Sequence, residues 1–286
     1  MKEYLIHNNR KAALAIARDW SVIVLIAWLN IRYPSIYLYI PSVWVIGAFQ
    51  FAIGESLLHE ASHHNLFQQK QLNYDLEFLY ALPFFKTVEQ FRHEHLVHHS
   101  RLGKMEDHLV DDYRRMGLFN PRYHFAYIWF IKPLTGLPGI HYMRTISLKP
   151  FKSGWKIIAF WVVVVTLFAI TGKLLWLLEF WLIPLFWSGS AYLYWSEISD
   201  HFHTISGTRT NINTFTNLIT HNNGFHYIHH KYPTIPWFRL PEAYQKLAPI
   251  QSDITTGFFE TYRQIIRNKS AHLPNYFSEN QQMVEG

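Results

Sequence analysis

The chain has 286 residues and a net charge of +6, yet charged residues make up only 16% of it and aromatics 17%. Soluble domains usually carry ~25% charged residues, so this composition points away from an ordinary soluble domain. No cysteine is present, which excludes disulfides, thiolate metal ligands and a built-in iron–sulfur cluster. Histidine, at 18 residues, exceeds what packing calls for.

The opening stretch MKEYLIHNNRKAALAIARDW carries no secretory pattern of a hydrophobic core followed by a small-residue cleavage site. A first apolar run occupies about residues 12–31 and ends at the turn signal RYPS, 32–35. A second covers 36–58 and runs into His59, with Pro41 expected near the helix entry, where it costs little. Both approach the ~20 residues needed to cross a bilayer and read as a helical hairpin. Residues 72–91 are apolar but broken by Asp75, Glu77 and Pro83, and are expected to be interfacial or re-entrant. A single crossing there would put the first two histidine clusters on opposite faces. Residues 123–146 are aromatic, broken by Pro and Gly and flanked by Lys and Arg, a headgroup-level profile. A second hairpin follows, with runs at 155–170 and 174–195 around the turn Thr171-Gly172-Lys173. Residues 196–286 contain no further span, and the tail from about 270 reads as frayed.

The expected fold is therefore all-α and integral to the membrane. It is one domain, 1–286, with two transmembrane hairpins (four spans) and a helical cap formed by the histidine-rich regions 59–154 and 196–250. Of the 26 Lys and Arg residues only Arg32 and Lys173 fall in the two hairpin turns. By the positive-inside rule this puts the cap, both termini and every histidine cluster in the cytoplasm, and it favours a membrane over nucleic acid as the partner of the positive charge.

The chemistry is concentrated in three clusters. HEASHHN, 59–65, places His59 and His63 at i, i+4. RHEHLVHHSRLGKMEDH, 92–108, places His95, His98 and His99 at i, i+3, i+4, and the same spacing recurs at His226, His229 and His230. On a helix such positions share a face, so three imidazoles point into a common volume. His201, in EISDHFH, brings the candidate ligands to nine. Alone, HExxH is the pattern of zinc metalloproteases. Zinc takes about four protein ligands, so nine suit two octahedral-leaning ions with open positions, and an all-imidazole set without thiolate serves iron. His7, His108, His124, His141 and His272 read as packing or interfacial residues. His64, His93, His203 and His221 read as neighbours of the clusters rather than ligands.

HEASHHNLF, HEHLVHH and HYIHHKYPTIPWFRLP resemble the three histidine boxes of the integral-membrane fatty acid desaturase and hydroxylase superfamily. The similarity extends to SGTRTNINTF at 206–215 and to Glu106-Asp107, and covers roughly residues 20–245. The resemblance implies a non-haem di-iron centre held by His59, His63, His95, His98, His99, His226, His229 and His230. His201 matches an extra histidine before the third box. Where some members have an asparagine four residues earlier, this chain has Glu197, leaving it open as ligand, water holder or plain helix-end carboxylate. His64 is an alternative partner for His59, with i, i+4 favouring His63. Glu60, Glu94, Asp107 and Asp200 are candidates to orient imidazole N–H groups.

The resemblance further implies dioxygen as co-substrate, two external electrons, and cleavage of an unactivated C–H bond in an apolar, membrane-resident substrate, a fatty acyl chain first. With no cysteine and no GxGxxG fingerprint, the electrons must come from another protein such as a ferredoxin, and the basic face suits an acidic carrier or anionic lipid. Three functions stand at this level: a lipid desaturase; a hydroxylase or ketolase of a lipid, carotenoid or alkane; and a zinc-dependent intramembrane hydrolase. A metal transporter would carry ligands within its spans, whereas these clusters lie just beyond them. The run KYPTIPWFRLPE after the third box cannot continue as a helix because of Pro233 and Pro236. It is expected to fold back with Tyr232 and Trp237 near the membrane surface.

Overall fold

The structure, a computed structural model, describes residues 2–148, 153–249 and 253–270. His272 and most of the expected frayed tail lie outside the described residues. The fold is mostly helical and divides into two compact units. One, the apolar unit, comprises His7–Arg92 and Leu134–Leu193; the other, the histidine-rich unit, comprises Met1–Ile6, His93–Pro133 and Tyr194–Gly286.

Among the described residues three helices are long and apolar enough to cross a membrane: Asn9–Arg32, Ile36–Ser62 and Leu174–His201. The first starts at Asn8, whose side chain accepts from the Lys11 N–H at 3.1 Å. The fourth expected span, Trp155–Ile170, is apolar apart from Lys156 at its start but has only 16 residues, about 24 Å at 1.5 Å per residue against a ~30 Å hydrocarbon core. Val24, Leu25 and Trp28 on the first helix, and Val162, Val163 and Leu167 on Trp155–Ile170, are exposed. Pro41 sits in the second turn of its helix rather than at the entry. It therefore has no N–H to give to the carbonyl of Tyr37, four residues back.

Apolar side chains gain little by leaving lipid for one another, so helices in a bilayer associate through close backbone approach and buried polar bonds. The apolar unit has both. Asn30 Nδ2 donates to Ser42 Oγ at 2.8 Å, Gln50 Nε2 to the Trp181 carbonyl at 2.9 Å, and Ser188 Oγ to the Val43 carbonyl at 2.6 Å. Gly47 lies so near Ser188 and Gly189 that a Cβ would stand 2.1 Å from Ser188 Oγ. Trp20 stacks on Trp181 with ring centroids 5.0 Å apart.

Residues 72–84 form only short pieces, Leu72–Asp75, Glu77–Leu79 and Leu82–Phe84. The buried Glu77 carboxylate accepts from the Val88 N–H at 3.0 Å and from Lys156 Nζ at 2.6 Å, fixing the break the sequence indicates. The stretch 123–146 is likewise broken, into Tyr127–Ile131, Lys132–Thr135 and Leu137–Thr145, with Gly136 at φ 77° in the left-handed region.

The histidine-rich unit is built on helix His108–Met116, capped by Asp107 at its start and closed by Gly117 at φ 81°. Its Leu109, Val110, Tyr113 and Met116 pack with Trp129, Ile198 and Ile265. A smaller core of Tyr4, Ile228, Ile235, Leu240 and Ala243 anchors the third histidine box through Ile228. The all-α expectation needs one correction: Thr210–Asn211 and Ile254–Thr255 pair as two-residue parallel strands. They join residues more than forty positions apart, a pairing that no local pattern in so short a stretch announces.

Candidate metal centre

The second box lies on helix Val88–Arg101 and the third on the six-residue helix His226–Lys231, which ends at Tyr232 just before Pro233. In both boxes the i and i+4 rings turn together: His95 and His99 approach to 2.9 Å and His226 and His230 to 3.0 Å, Nε2 to Nε2. The i+3 ring is about 100° of helical rotation from its i+4 neighbour and goes elsewhere. His98 joins the pair of the third box through His201, whose Nε2 stands 3.1 Å from His98 Nε2 and 2.9 Å from His226 Nε2. His229 joins the pair of the second box, 3.2 Å from His99. The single common volume expected for each box is thus corrected to two sets with members exchanged. His98, His201, His226 and His230 form one group of converging donors; His95, His99 and His229 form the other within this unit. The sets adjoin, with the His99 and His230 rings stacked at 4.1 Å.

The nitrogens facing inward carry lone pairs. His98 Nδ1 donates to the Asp107 carboxylate at 3.1 and 3.2 Å, and His201 Nδ1 donates to the Gly207 carbonyl at 2.9 Å. Each Nδ1–H being committed outward, the two Nε2 lone pairs face each other across 3.1 Å. That juxtaposition is repulsive unless a cation lies between. Nitrogens ~2.1 Å from an ion and at right angles to one another stand ~3.0 Å apart, so the spacing fits cis positions of an octahedral ion. The donor set is imidazole without thiolate and fits iron.

Electrostatics disfavour protonation of His99 and His230. Burial pushes His99 down to about 3, with neighbouring His98 adding to the shift and Asp107 opposing it. His230 is held well below its ordinary value by burial and then by His226 and the other histidines around it. For Asp107, burial would raise the carboxyl, but the His98 bond, the Gly103 N–H and nearby His108 outweigh it and hold the group below the usual carboxylate range. Asp107 also accepts from the Gly103 and Leu109 N–H groups at 2.8 and 3.1 Å, so it caps a helix and orients the His98 ring at once. Asp107→Asn is expected to weaken metal binding by about 10–100-fold while leaving the helix capped, as titration of the apoprotein with Co(II) will read.

The other carboxylates differ. Asp200 accepts from Ser196 Oγ at 2.8 Å rather than from an imidazole, Glu94 is exposed, and Glu197 is half-buried with its backbone carbonyl taking the Tyr113 hydroxyl. Glu60 is buried in the apolar unit. There His59 and His63 lie with ring centroids 5.3 Å apart, while His64, at φ 61°, turns its ring to the Tyr74 hydroxyl at 2.8 Å. The remaining histidines have local roles. His7 meets Asn65 Oδ1 at 3.3 Å, His124 Nδ1 accepts from the Ala126 N–H, and His203 stacks on Phe202 and donates to the Ile265 carbonyl. His221 packs edge-on to Trp237 at 5.0 Å, and the Trp237 carbonyl accepts from Asn222 Nδ2, so the run after the third box braces the loop before it. His93 is exposed, His108 is 3.7 Å from Asp107, and His141 lies on helix Leu137–Thr145.

Sequence reasoning missed Gly207, whose contribution is a backbone carbonyl without residue-type signature. It also gave no role to Arg209, although the SGTRTNINTF motif contains it.

The sequence pattern of the fatty acid desaturase family matches residues 34–262. The chain belongs to that family. It is accordingly an oxidoreductase, which sets the hydrolase reading of HExxH aside. Among its relatives, the dihydrorhizobitoxine desaturase of Bradyrhizobium elkanii is 25% identical over 269 residues, covering 82% of this chain and 75% of that protein. The sn-1 acyl-lipid omega-3 desaturase (ferredoxin) of Nostoc sp. (strain 36) is 21% identical over 282 residues, covering 86% and 77%. As a desaturase-family chain, this protein joins long apolar helices to two histidine sets able to hold metal ions.

Proposed function

We propose that this protein is a membrane-bound, non-haem di-iron desaturase that uses dioxygen and two external electrons to introduce a double bond into a fatty acyl chain. The observation that carries the reading is the pair of adjoining imidazole sets in a chain of the fatty acid desaturase family. His98, His201, His226 and His230 hold one iron. His95, His99 and His229 belong to the other, and His59 and His63 are iron ligands on the pattern of the first histidine box. Iron supplies the oxygen chemistry that breaks an unactivated C–H bond; the protein positions the carbon and excludes water. Asp107 and the Gly207 carbonyl keep the Nδ1 protons of His98 and His201 turned outward, and burial keeps His99 and His230 unprotonated at neutral pH.

Trp155–Ile170 is the fourth span, completing two hairpins whose ends, with both termini and all histidine boxes, face the cytoplasm. The electron donor is a soluble carrier of the ferredoxin type, as the name of the Nostoc relative states for that protein. Lipids from a heterologous host co-expressing a ferredoxin test the reading by mass spectrometry. A product lighter by two hydrogens is expected. An added oxygen would overturn desaturation in favour of hydroxylation, and one zinc per chain in place of about two irons would overturn the di-iron reading itself.

A further inference from the structure

Among the described residues Arg209 is the largest buried charged side chain, 2% exposed. A buried guanidinium costs several kcal/mol of desolvation and needs acceptors for five N–H donors. Arg209 makes four side-chain hydrogen bonds, three of them to carbonyls at one place. Nη1 donates to the Ser199 carbonyl, Nη2 to the carbonyls of Phe202 and His203 at 3.0 and 3.3 Å, and Nε to Gln264 Oε1 at 2.5 Å. Its backbone N–H donates to the Asp200 carbonyl at 2.7 Å. The last carbonyls of a helix have no partners within it and attract positive charge. Here the carbonyls of Ser199, Asp200, Phe202 and His203 all end on one residue, and the residue they bracket is His201.

The loop that follows is held from its other side. Asp253 is fully buried, and its Oδ2 accepts from the N–H groups of Ile205 and Ser206, each at 2.8 Å, and from Ser206 Oγ at 2.9 Å. Its backbone carbonyl accepts from the Thr210 N–H, which begins the short parallel pairing. Asn268 Nδ2 ties the His203 carbonyl, at 2.7 Å, to Asp253 Oδ1, at 3.4 Å. Residues 203–209 therefore form a loop closed by Arg209 and Asp253. Within it lies Gly207, whose carbonyl takes the Nδ1 proton of His201. If that carbonyl moves, the ring is free to turn or to change tautomer and present an N–H where a lone pair is needed.

We propose that Arg209 and Asp253 are positioning residues that clamp the 203–209 loop, and so fix the orientation and tautomer of His201 and the metal affinity of the four-histidine set. The inference rests on the metal-centre reading above. It explains why a desaturase-family chain places an arginine in a buried loop, and why residues 253–268, far from the three boxes in sequence, matter to the site.

The test is Co(II) titration of the full-length, detergent-extracted apoprotein, with thermal unfolding measured alongside. Wild type is expected to bind about two ions per chain; fewer would overturn the di-iron reading whatever the variants do. Arg209→Gln and Asp253→Asn are each expected to weaken one of the two sites by about 10–100-fold and to alter the Co(II) absorption of that site, with Arg209→Lys partly restoring both. Tyr113→Phe is the stability control. It removes the hydroxyl that donates to the Glu197 carbonyl on the same helix, so it lowers the unfolding temperature without moving the affinity. Variants that unfold at lower temperature yet bind both ions with wild-type affinity and spectrum would reduce Arg209 and Asp253 to packing and overturn the clamp. If Arg209→Gln does not fold, Asp253→Asn, which keeps the shape of the side chain, decides by the same criterion.

Discussion

Replacing His226 with Ala is expected to lower turnover by more than about 100-fold and, on the proposed di-iron reading, to leave the protein with one ion in place of two. His226 Nε2 stands 2.9 Å from the Nε2 of His201 and 3.0 Å from that of His230, so it is central to the four-histidine set. Its ring is buried, and alanine leaves a cavity in its place. Removing an outer partner such as Asp107 loosens a ligand that remains in place, an effect of about 10–100-fold. Removing the ligand itself exceeds that range. The contrast is His203→Ala. The His203 ring lies on Phe202 and donates to the Ile265 carbonyl, so its loss costs packing and one hydrogen bond while the converging nitrogens stay intact. Metal analysis with product assay distinguishes the two. His226→Ala protein that kept both ions and a tenth of wild-type turnover would remove His226 from the ligand set.

The box spacing carries more information than a shared face. Positions i and i+4 are about 40° apart around a helix, whereas i+3 and i+4 are about 100° apart. The pattern HxxHH thus contains both a converging pair and a ring aimed at a second site. His95/His99 with His229, and His226/His230 with His98, follow from that arithmetic once two helices face each other. What the sequence did not disclose is the support behind the converging imidazoles. Gly207 acts through its carbonyl, and Asp253 acts from 52 positions beyond His201 through a two-residue strand pair. Neither periodicity nor residue type marks such contacts. Glu94 illustrates the reverse error: it adjoins His95 in sequence, but one step along a helix is 100°, and its side chain faces solvent.

The apolar helices were legible from hydropathy, while their lengths were less so. Trp155–Ile170 keeps the composition of a span and stops short of its length. What sequence cannot give is how closely such helices approach, because glycine is also a turn residue, and the two uses look alike in a string of letters. Gly136 and Gly139, three residues apart, make the point. Gly136 has φ 77° with nothing within 4 Å of the position a Cβ would take, so its requirement is conformational. Gly139 lies inside helix Leu137–Thr145.

Gly139→Ala is expected to be the more damaging of the two substitutions. A Cβ at Gly139 would stand 1.7 Å from the carbonyl oxygen of Phe186 and 2.7 Å from its carbon. Those are backbone atoms within the helix Leu174–His201, and no side-chain rotation relieves the clash. The helix must move by more than 1 Å, given that real Cβ contacts essentially never fall below 3.0 Å. Overpacking typically costs ~1–3 kcal/mol, and a clash with fixed backbone belongs at or beyond the upper end. Gly136→Ala, by comparison, costs the ~1–2 kcal/mol of left-handed backbone at a residue with a Cβ. Thermal unfolding in detergent should therefore rank the proteins wild type, Gly136→Ala, Gly139→Ala, with Gly139→Leu failing to give folded protein. In a bilayer, helices without close backbone approach lose the dispersion contacts that hold them together, because lipid offers apolar side chains an equal environment. A Gly139→Ala protein as stable as wild type would mean that helix Leu137–Thr145 stands further from Phe186 than this packing requires.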